Sequence, residues 1–389
     1  MKIALLCNEY PPHPHGGIGT FVQEFARALD GAGHQVYIFG LRDVAEEYSD
    51  NQIKIKIIGG RRIKGLSWLV RRLRFWLFVR RQVKIYGIDI IETTDFMGPL
   101  PFNVGCPVVV RLHLTSTAMA KQKDLKPHFS NLWFEQRQLR SHGAWIAMSR
   151  YALSLTKDTF HGVKPTRSAI IHPPVDPPSP ASSIEGVPHN FVLYAGFVEK
   201  RKGALVVATA ARQFLHDNPT LELVYAGAIL SEDGQPVDEI VLDILGPDLS
   251  KRVKFLGWVD RPTVMALMRR ARLLLFPSLL ETFGLVVVEA MLQGCPVVVS
   301  DSGPFPEFVR DGETGLLIDP EDPEALATAA ARILNDQSFA QALGQRGKAY
   351  VTDFFSREKH LRETLDYYGA VLNTSPHRRR RNATLARIS

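Results

Sequence analysis

The sequence predicts an α/β protein with two doubly wound parallel sheets, on three observations. Short apolar runs alternate with longer amphipathic ones, as strands and helices alternate in such sheets. The 389 residues are too many for one domain of roughly 100 to 200 residues. The stretch PPVDPPSPASSIEGVP, residues 173–188, interrupts the alternation because its prolines and serines can continue neither a helix nor a central strand. We therefore expect two domains joined by a linker.

Six strand candidates precede the linker, and six follow it. The first six are residues 2–7, 35–39, 53–58, 88–92, 108–114 and 144–148, and the second six are residues 191–195, 222–226, 253–255, 273–276, 297–300 and 315–318. Each set has the spacing of a Rossmann-like sheet with helices between its strands.

These elements divide the chain into five parts. The sequence predicts a first domain over residues 1–172, a linker over 173–189, a second domain over 190–355, a helix over 356–372 with Ser356 as its N-cap, and a disordered basic tail over 373–389. Two open sheets facing each other would form a cleft at the carboxyl ends of their strands, where such folds bind ligands.

Composition points to a soluble protein of a reducing compartment. The three cysteines, Cys7, Cys106 and Cys295, form no close pair that could serve as a metal knuckle or a disulfide framework. The first apolar run, within MKIALLCNEYPP, is too short for a signal peptide and is typical of a buried first strand. We therefore expect a cytoplasmic protein.

The net charge of +7 is concentrated in two segments. Residues 54–84 contain eleven Lys and Arg and no acid, and residues 378–387 contain five Arg and no acid. Without those sixteen cations the chain has 31 basic and 40 acidic residues. A local basic segment indicates an anionic partner, such as a membrane surface or a nucleic acid.

A glycine-rich turn follows the first strand. Gly16, Gly17 and Gly19 precede a helix expected to begin near Thr20, and backbone amides there can bind an anionic group. A tight turn without a ligand is the alternative. A dinucleotide fingerprint fits poorly, because Val22 stands where its third glycine should be and no acid ends the second strand, which disfavours a nicotinamide enzyme.

Two further segments place polar side chains at strand ends. His113 ends the fifth strand, where a structural and a functional role are both open. In the second domain, Lys200, Arg201 and Lys202 follow the first strand beside glycines and could neutralise a diphosphate, although a solvated basic turn has the same composition.

The segment ETFGLVVVEA places Glu281 and Glu289 at the ends of an apolar run. We expect a helix from about residue 283 to 293, so that the two acids lie roughly 12 Å apart along a helix. One ligand could then meet both, with Glu281 on sugar hydroxyls, the amides of Phe283 and Gly284 on a diphosphate, and Glu289 on a ribose. The alternative is that both acids pair with Lys or Arg.

The chain resembles the family 4 retaining glycosyltransferases, which have the two-domain GT-B fold. The resemblance covers residues 1 to about 372 and is carried by PPHPHGGIGTFVQEFARAL, RLHL, GFVEKRKG, KFLGWVD and, most specifically, FPSLLETFGLVVVEAMLQGCPVVVSDSGPFPEFVRDGETGLLIDPED with its E-x7-E pattern. It implies that the first domain lies on the acceptor side and that the second binds the nucleotide sugar.

The resemblance also assigns roles to individual residues. It implies that Gly16 and Gly17 line the donor phosphate and that His113 touches the donor sugar. It implies further that Lys202 binds the diphosphate, Glu281 the sugar hydroxyls and Glu289 the ribose. Many members have arginine directly after the first glycine of the GFVEKRKG loop, where this chain has Phe197, and Arg201 is the candidate to supply the missing cation.

The implied reaction is transfer of a hexosyl unit from a UDP- or GDP-sugar to a hydroxyl, with retention of the anomeric configuration. The acceptor would be a glycan or a lipid-linked molecule, as in polysaccharide or glycolipid synthesis. No D-x-D motif occurs, so we expect no metal and no cofactor. Two alternatives remain open, a nucleotide-sugar epimerase of similar fold and a glycan-binding scaffold that has lost the chemistry.

The basic segment at residues 61–84 interleaves Arg with Trp68, Phe75, Trp76 and Phe78. Such a composition favours binding to an anionic membrane surface, while a purely structural helix is the alternative. Nothing else in the chain resembles a nucleic-acid-binding module. We therefore expect peripheral attachment to the inner face of the membrane.

Overall fold

The computed structural model describes residues 1–13, 17–60, 67–122, 125–175 and 186–374. These residues form two compact units, of which the first is Met1–Pro173 together with the chain from Arg357 onward, and the second is Pro174–Ser356. Gly16, most of the predicted linker and the predicted tail after residue 374 lie outside the described residues.

The first unit contains an eight-stranded sheet. Its elements up to Pro173 are β1 Lys2–Leu6, α1 Gly17–Gly31, β2 Gln35–Arg42, β3 Glu46–Asp50, β4 Ile53–Gly59, α2 Ser67–Tyr86, β5 Ile90–Thr94, β6 Val108–Leu112, α3 Ser116–Gln122, α4 Phe129–Ser141, β7 Ala144–Ala147, α5 Arg150–Thr159 and β8 Arg167–Ile170. The strand order is β3-β4-β2-β1-β5-β6-β7-β8, and β3 alone among these runs antiparallel to its neighbour. The order of parallel strands therefore reverses at β1 and β5.

The second unit contains a six-stranded, wholly parallel sheet. Its elements are β9 Phe191–Ala195, α6 Ala204–Asp217, β10 Glu222–Ala226, β11 Ser231–Glu232, β12 Gln235–Pro236, α7 Val237–Leu249, β13 Val253–Phe255, α8 Arg261–Arg270, β14 Leu273–Phe276, α9 Leu285–Leu292, β15 Val297–Ser300, β16 Leu316–Ile318, α10 Pro323–Asn335 and α11 Gln337–Phe354. The order β13-β10-β9-β14-β15-β16 reverses between β9 and β14. Strands β11 and β12 form a separate small hairpin.

The first sheet is buried on both faces because alternate strand residues point to opposite sides. On one side Ile3 and Leu5 of β1 pack with Phe25 of α1 and with the last helix, α12 (Arg357–Thr374). On the other side Ala4 and Leu6 pack with α2, which presents Phe75, Val79 and Val83. These three residues recur every four positions, as one face of a helix requires.

All twelve predicted strands are present, with ends shifted by three residues or fewer. Among the described residues, the sequence missed four strands. Two are the short hairpin strands β11 and β12, and the others are β3 and β8, which lie at the edges of the first sheet and are only partly buried, so that they lack a continuous apolar run. Ile88, predicted to begin the fourth strand, instead donates its amide to the Val83 carbonyl at the end of α2.

Helix α12 begins directly after Ser356 and returns the chain to the first unit. The Tyr368 hydroxyl donates to Oε2 of the buried Glu92 on β5 at 2.7 Å, and the Tyr367 hydroxyl donates to the Arg167 carbonyl at 2.9 Å. The sheet of the first unit is thus covered in part by residues from the far end of the sequence.

Candidate functional site

The second unit carries charged side chains in the two loops where its strand order reverses. The loop after β9 carries Lys200, Arg201 and Lys202 in a single 3-10 turn, and the loop after β14 carries Glu281. Strands β9 and β14 are parallel neighbours, so their carboxyl ends lie at the same edge of the sheet. Open α/β sheets bind ligands at this position, because the loops diverge there and leave a crevice.

Lys202 and Glu281 meet across that edge. The Lys202 ammonium Nζ donates to Oε1 of Glu281, and their side chains are 13% and 15% exposed. The ammonium also lies 5.6 Å from the centroid of the Phe276 ring. Both ions are mostly out of water, so each offsets part of the desolvation cost of the other. The structure therefore brings together two residues that the sequence assigned to neighbouring parts of one ligand.

Arg201 connects the two loops. Its guanidinium contacts Oε1 of Glu199 through Nη2 and donates from Nη1 to the Leu280 carbonyl at 3.1 Å. The Leu279 amide donates to the Arg201 carbonyl at 2.9 Å, so backbone and side chain both fix this turn against the loop after β14. In the structure Arg201 thus positions the loop, and its predicted contact with a diphosphate stays a prediction.

Gly203 allows this close approach. It has φ +80°, in the left-handed region, and a Cβ there would lie 2.2 Å from the Pro277 carbonyl oxygen. A larger residue would force the start of α6 away from the end of β14. The contact between Lys202 and Glu281 depends on this spacing.

The helix of the Glu281 segment is shorter than predicted. Helix α9 begins at Leu285, after Gly284 at φ +82° and ψ 56°, so residues 281–284 are not helical. The helical rise behind the spacing of roughly 12 Å therefore does not apply to residues 281–284, and the separation of the two acids stays a prediction. The Phe283 ring is buried against Phe308 and Phe355, at centroid distances of 5.2 and 5.4 Å, and can face a ligand only through its backbone.

Glu289 lies on α9 and pairs with a residue that the sequence did not single out. Nε of Arg261 donates to Oε1 of Glu289 at 2.9 Å, and the Glu289 side chain is 14% exposed. Arg261 is the first residue of α8, whose start is fixed by Asp260, which accepts the Thr263 amide at 3.0 Å. Both acids of the segment therefore pair with cations, as in the alternative that the sequence left open.

In the first unit, His113 directly follows β6. Its ring is half-buried and meets the Phe21 ring edge-on at 5.6 Å between centroids. Burial, with a smaller contribution from the Arg111 charge, lowers the pKa of His113 to about 3. The imidazole is therefore neutral at neutral pH and can exchange hydrogen bonds with a sugar hydroxyl but cannot act as a cation.

Asp95 holds the backbone of this turn and was missed in the sequence. It follows β5, is 1% exposed, and its Oδ1 accepts the amides of His113 at 3.0 Å and Leu114 at 3.3 Å. Its Oδ2 has no hydrogen-bond partner among the residues that the structure describes. Burial, assisted by the Glu135 charge, raises the pKa of Asp95 to about 7. Its position at the end of a buried strand was the signal that could have found it.

A buried ion pair fixes β6, the strand that leads to His113. Arg111 donates from Nε to Oε1 of Glu92 at 2.7 Å and from Nη2 to Oε2 at 2.9 Å. This two-point geometry suits a planar guanidinium and a carboxylate. The adjoining β5 and β6 are thereby held together next to the turn that carries His113.

The helix that follows the glycine turn begins earlier than predicted. Helix α1 begins at Gly17, three residues before the expected Thr20, and Gly16 lies outside the described residues. The amide of Gly19 donates to Oε1 of Glu9 at 3.1 Å, so a carboxylate of the chain itself meets this helix start. The predicted phosphate contact of Gly16 and Gly17 remains a prediction.

The predicted site residues thus fall into three groups. Arg201, Lys202 and Glu281 lie together, with Phe283 and Gly284 in the same loop as Glu281; Glu289 meets Arg261; Gly17 and His113 belong to the other unit. Within the described ranges, no three His, Cys, Asp or Glu side chains cluster in a way that could hold a metal ion.

Two family models match adjoining parts of the chain. Residues 15–178 match the model described as Glycosyltransferase Family 4, and residues 179–350 match the model described as Glycosyl transferases group 1. Together they cover residues 15–350 and include every predicted site residue.

Curated relatives match over most of the chain. An uncharacterized glycosyltransferase of Methanocaldococcus jannaschii is 25% identical over 95% of this chain and 98% of its own length. The phosphatidyl-myo-inositol mannosyltransferase of Mycolicibacterium smegmatis is 28% identical over 86% of this chain and 85% of its own.

Solved structures share the fold. Sucrose-phosphate synthase of Thermosynechococcus elongatus superposes with a TM-score of 0.78 at 22% identity, covering 96% of this chain and all of that one. The Anabaena protein HepE, solved in complex with UDP-glucose, gives 0.73 at 21% identity over 94% and 99% of the two chains. The chain belongs to the family 4 type of glycosyltransferase and has the GT-B fold of two parallel-sheet α/β domains.

Proposed function

We propose that this glycosyltransferase transfers a hexosyl unit from a UDP- or GDP-sugar to a hydroxyl of a glycan or lipid-linked acceptor, with retention of configuration. The observation that carries the proposal is the contact between Lys202 and Glu281 at the point where the strand order of the second unit reverses. The contact brings an ammonium next to a carboxylate, and this combination supports the proposal because a nucleotide sugar offers a charged diphosphate and sugar hydroxyls. The UDP-glucose bound by HepE supports a donor of this class.

In this mechanism Lys202 and Glu281 give up their mutual contact when the donor binds. Lys202 turns to the diphosphate and Glu281 accepts the sugar hydroxyls, so that each keeps a charged or polar partner. As the bond from the anomeric carbon to the phosphate oxygen breaks, negative charge grows on the diphosphate, and Lys202 and the amides near Gly284 stabilise it. This arrangement does without a metal ion and without a cofactor.

Retention follows if the acceptor hydroxyl attacks from the face that the diphosphate leaves. The acceptor oxygen bonds to the anomeric carbon, and the departing phosphate oxygen takes the acceptor proton. The neutral His113 contributes a hydrogen bond to the donor sugar, and the amides of Gly16 and Gly17 contact the donor phosphate. In this proposal Arg201 supports Lys202 by holding its turn against the loop after β14.

The experiment is a panel of UDP- and GDP-sugars incubated with the wild type and with Lys202→Ala. We expect slow hydrolysis of one donor with release of its nucleotide, unaffected by EDTA, and its loss in the variant. Lys200→Ala is a matched control, because Lys200 lies in the same turn with an exposed side chain. Binding without hydrolysis would favour the scaffold alternative, and a product sugar epimerised at C2 would favour the epimerase.

Helix α2 is the feature that favours a lipid-linked acceptor. None of the helices in the described ranges is both long and apolar enough to cross a membrane. Helix α2 buries Phe75, Val79 and Val83 on the sheet, while Leu77 and Ile85 are 55% and 57% exposed on its outer side. These two line a groove of about 480 Å³ together with Phe78, Tyr86, Gln82 and the cations Lys56 and Arg81.

Exposed apolar side chains next to cations suit a surface of anionic lipid, where each cation contributes roughly 1 kcal/mol. Arg74, Arg80, Arg81 and Lys84 are exposed, whereas two other arginines of α2 have partners within the protein. Arg71 pairs with Asp43 at 2.7 Å, and Arg72 donates to Asn131 at 2.6 Å. We propose that α2 attaches the enzyme to the cytoplasmic face of the membrane, beside a lipid-linked acceptor.

Co-sedimentation with vesicles of anionic or neutral lipid tests this attachment. We expect the wild type to bind anionic vesicles at low salt and to be released by high salt. A variant with Arg74, Arg80, Arg81 and Lys84 changed to Gln should remain in the supernatant. A charge-matched control changes Lys126, Arg140, Lys157 and Lys164, which are exposed elsewhere in the first unit. Equal binding by both variants would mean that α2 is only structural.

A further inference from the structure

Two arginines of α8 reach the neighbouring helix α9, one at a residue within it and the other at Gln293, the residue that caps its C-terminus. Arg261, in the first turn of α8, donates to Glu289 at 2.9 Å. Arg269, in the last turn, donates to the side-chain oxygen of Gln293 at 3.2 and 3.1 Å. The two contacts join the same pair of helices and differ in that only the first involves a carboxylate with a predicted ligand role.

We infer that Arg261 is a positioning residue for nucleotide recognition, because it holds the Glu289 carboxylate in the orientation that accepts both hydroxyls of a ribose. The inference rests on the proposed function, in which Glu289 meets the ribose. Arg261 acts on the nucleotide through Glu289 and does not itself touch the ligand.

Geometry supports this role. The last torsion of a glutamate side chain has a broad energy profile, so an unanchored carboxylate turns easily. A vicinal diol offers two donors, and both hydrogen bonds form only when the plane of the carboxylate is suitably turned. The contact from Nε of Arg261 to Oε1 restricts that rotation before the nucleotide arrives. Less conformational freedom is then lost on binding, which strengthens it.

The choice of arginine is consistent with this role. Its guanidinium is planar and always charged, so it fixes direction as well as charge, which a lysine ammonium does not. Its own backbone is fixed, because Asp260 caps α8 and Pro262 follows in the first turn. The Arg261 side chain is 36% exposed and that of Glu289 is 14% exposed, so the carboxylate is the less hydrated of the two. Neutralisation by Arg261 therefore also offsets its desolvation.

The test removes the charge of Arg261 and the hydroxyls of the ligand in turn. Isothermal titration calorimetry would measure binding of UDP and GDP, and of their 2′,3′-dideoxy counterparts, to the wild type, Arg261→Met, Arg261→Gln and Arg269→Met. The wild type should prefer the ribose form. In both Arg261 variants we expect about tenfold weaker binding of the ribose form, as for loss of one charge-assisted hydrogen bond. Binding of the dideoxy form should change less than twofold.

Arg269→Met is the matched control and should bind both forms like the wild type, since it breaks a contact between the same helices without touching Glu289. In turnover, Arg261→Met should raise the donor KM about tenfold and leave kcat at saturating donor within twofold. A merely structural role would lower the binding of both nucleotide forms together.

Three results would overturn the inference, and each is distinct. Equal weakening of ribose and dideoxy forms by the Arg261 variants would mean that Arg261 contacts the phosphates or supports the fold. Unchanged ribose binding in those variants would mean that Glu289 needs no positioning. Failure of the wild type to distinguish the two forms would remove the ribose contact itself, and with it that part of the proposed function.

Discussion

The two units differ in the surroundings of the ionisable groups at their strand ends. In the second unit, Glu281 and Glu289 each meet a cation near the surface. In the first unit, Asp95 and His113 are desolvated, so that the pKa of Asp95 rises to about 7 and that of His113 falls to about 3. One edge thus pairs its two acids with cations, whereas at the other edge burial favours the neutral forms of Asp95 and His113. The first suits a charged diphosphate, and the second suits the hydroxyls of sugars.

The largest effect on activity is expected at Glu281 in the second unit. Glu281→Ala should lower kcat at saturating donor by about 10²- to 10³-fold, because it removes an acceptor for the sugar hydroxyls and leaves Lys202 without its carboxylate. Steady-state kinetics over a range of donor concentrations measures this. A variant with weaker donor binding and normal kcat would exchange the roles assigned to Glu281 and Glu289.

In the first unit, Asp95→Asn should change how the stability of the protein depends on pH. The folded protein keeps the Asp95 proton up to about pH 7, whereas an exposed aspartate loses it near pH 4. The free energy of unfolding of the wild type should therefore fall, relative to the variant, as pH rises from about 4 to about 7, by up to ~4 kcal/mol. Urea unfolding of both proteins at several pH values measures the difference, and parallel curves would contradict a buried proton.

Glu289→Ala should have a smaller effect, mainly on binding. The ribose contact is present in the ground state and the transition state alike, so the donor KM should rise by about tenfold while kcat changes little. Titration with UDP or GDP measures the affinity directly. Loss of kcat equal to the loss of affinity would place Glu289 at the reacting centre.

The smallest effect is expected from titration of His113. With a pKa of about 3, the imidazole stays neutral from pH 5 to 8, so it should add no step to the pH profile of kcat/KM. Comparing the profile of the wild type with that of His113→Gln tests this. A step near pH 6.5 that disappears in the variant would show that His113 is hydrated and ionises in the working enzyme.

The sequence predicted the central strands better than the edges. Runs such as FVLYA and LLLF are buried on both faces and stand out by composition, whereas EEYSD and RSAI pair at sheet edges and look like loops. Strand pairing supplies the backbone partners of an edge strand, and a single sequence does not show which strands will be neighbours.

The same limit applies to the candidate site. Lys202, Glu281 and Glu289 were found because charged residues beside apolar runs are conspicuous. Their partners depend on tertiary contacts between residues far apart in sequence, such as Arg261 with Glu289. Asp95 follows a buried strand and could have been singled out for that position, but its role in accepting backbone amides depends on the tertiary structure.

The return of α12 to the first unit has a consequence for synthesis of the chain. Residues 174–356 form a unit within one stretch of sequence, while the first unit needs both its N-terminal residues and those after Arg357. Domains generally fold as units while the ribosome adds about 5 to 20 residues per second. The unit that emerges first therefore completes its core last, after Tyr368 is made and can reach Glu92. Until then Glu92 lacks its tyrosine partner, and the face of the first sheet that α12 covers stays exposed to solvent.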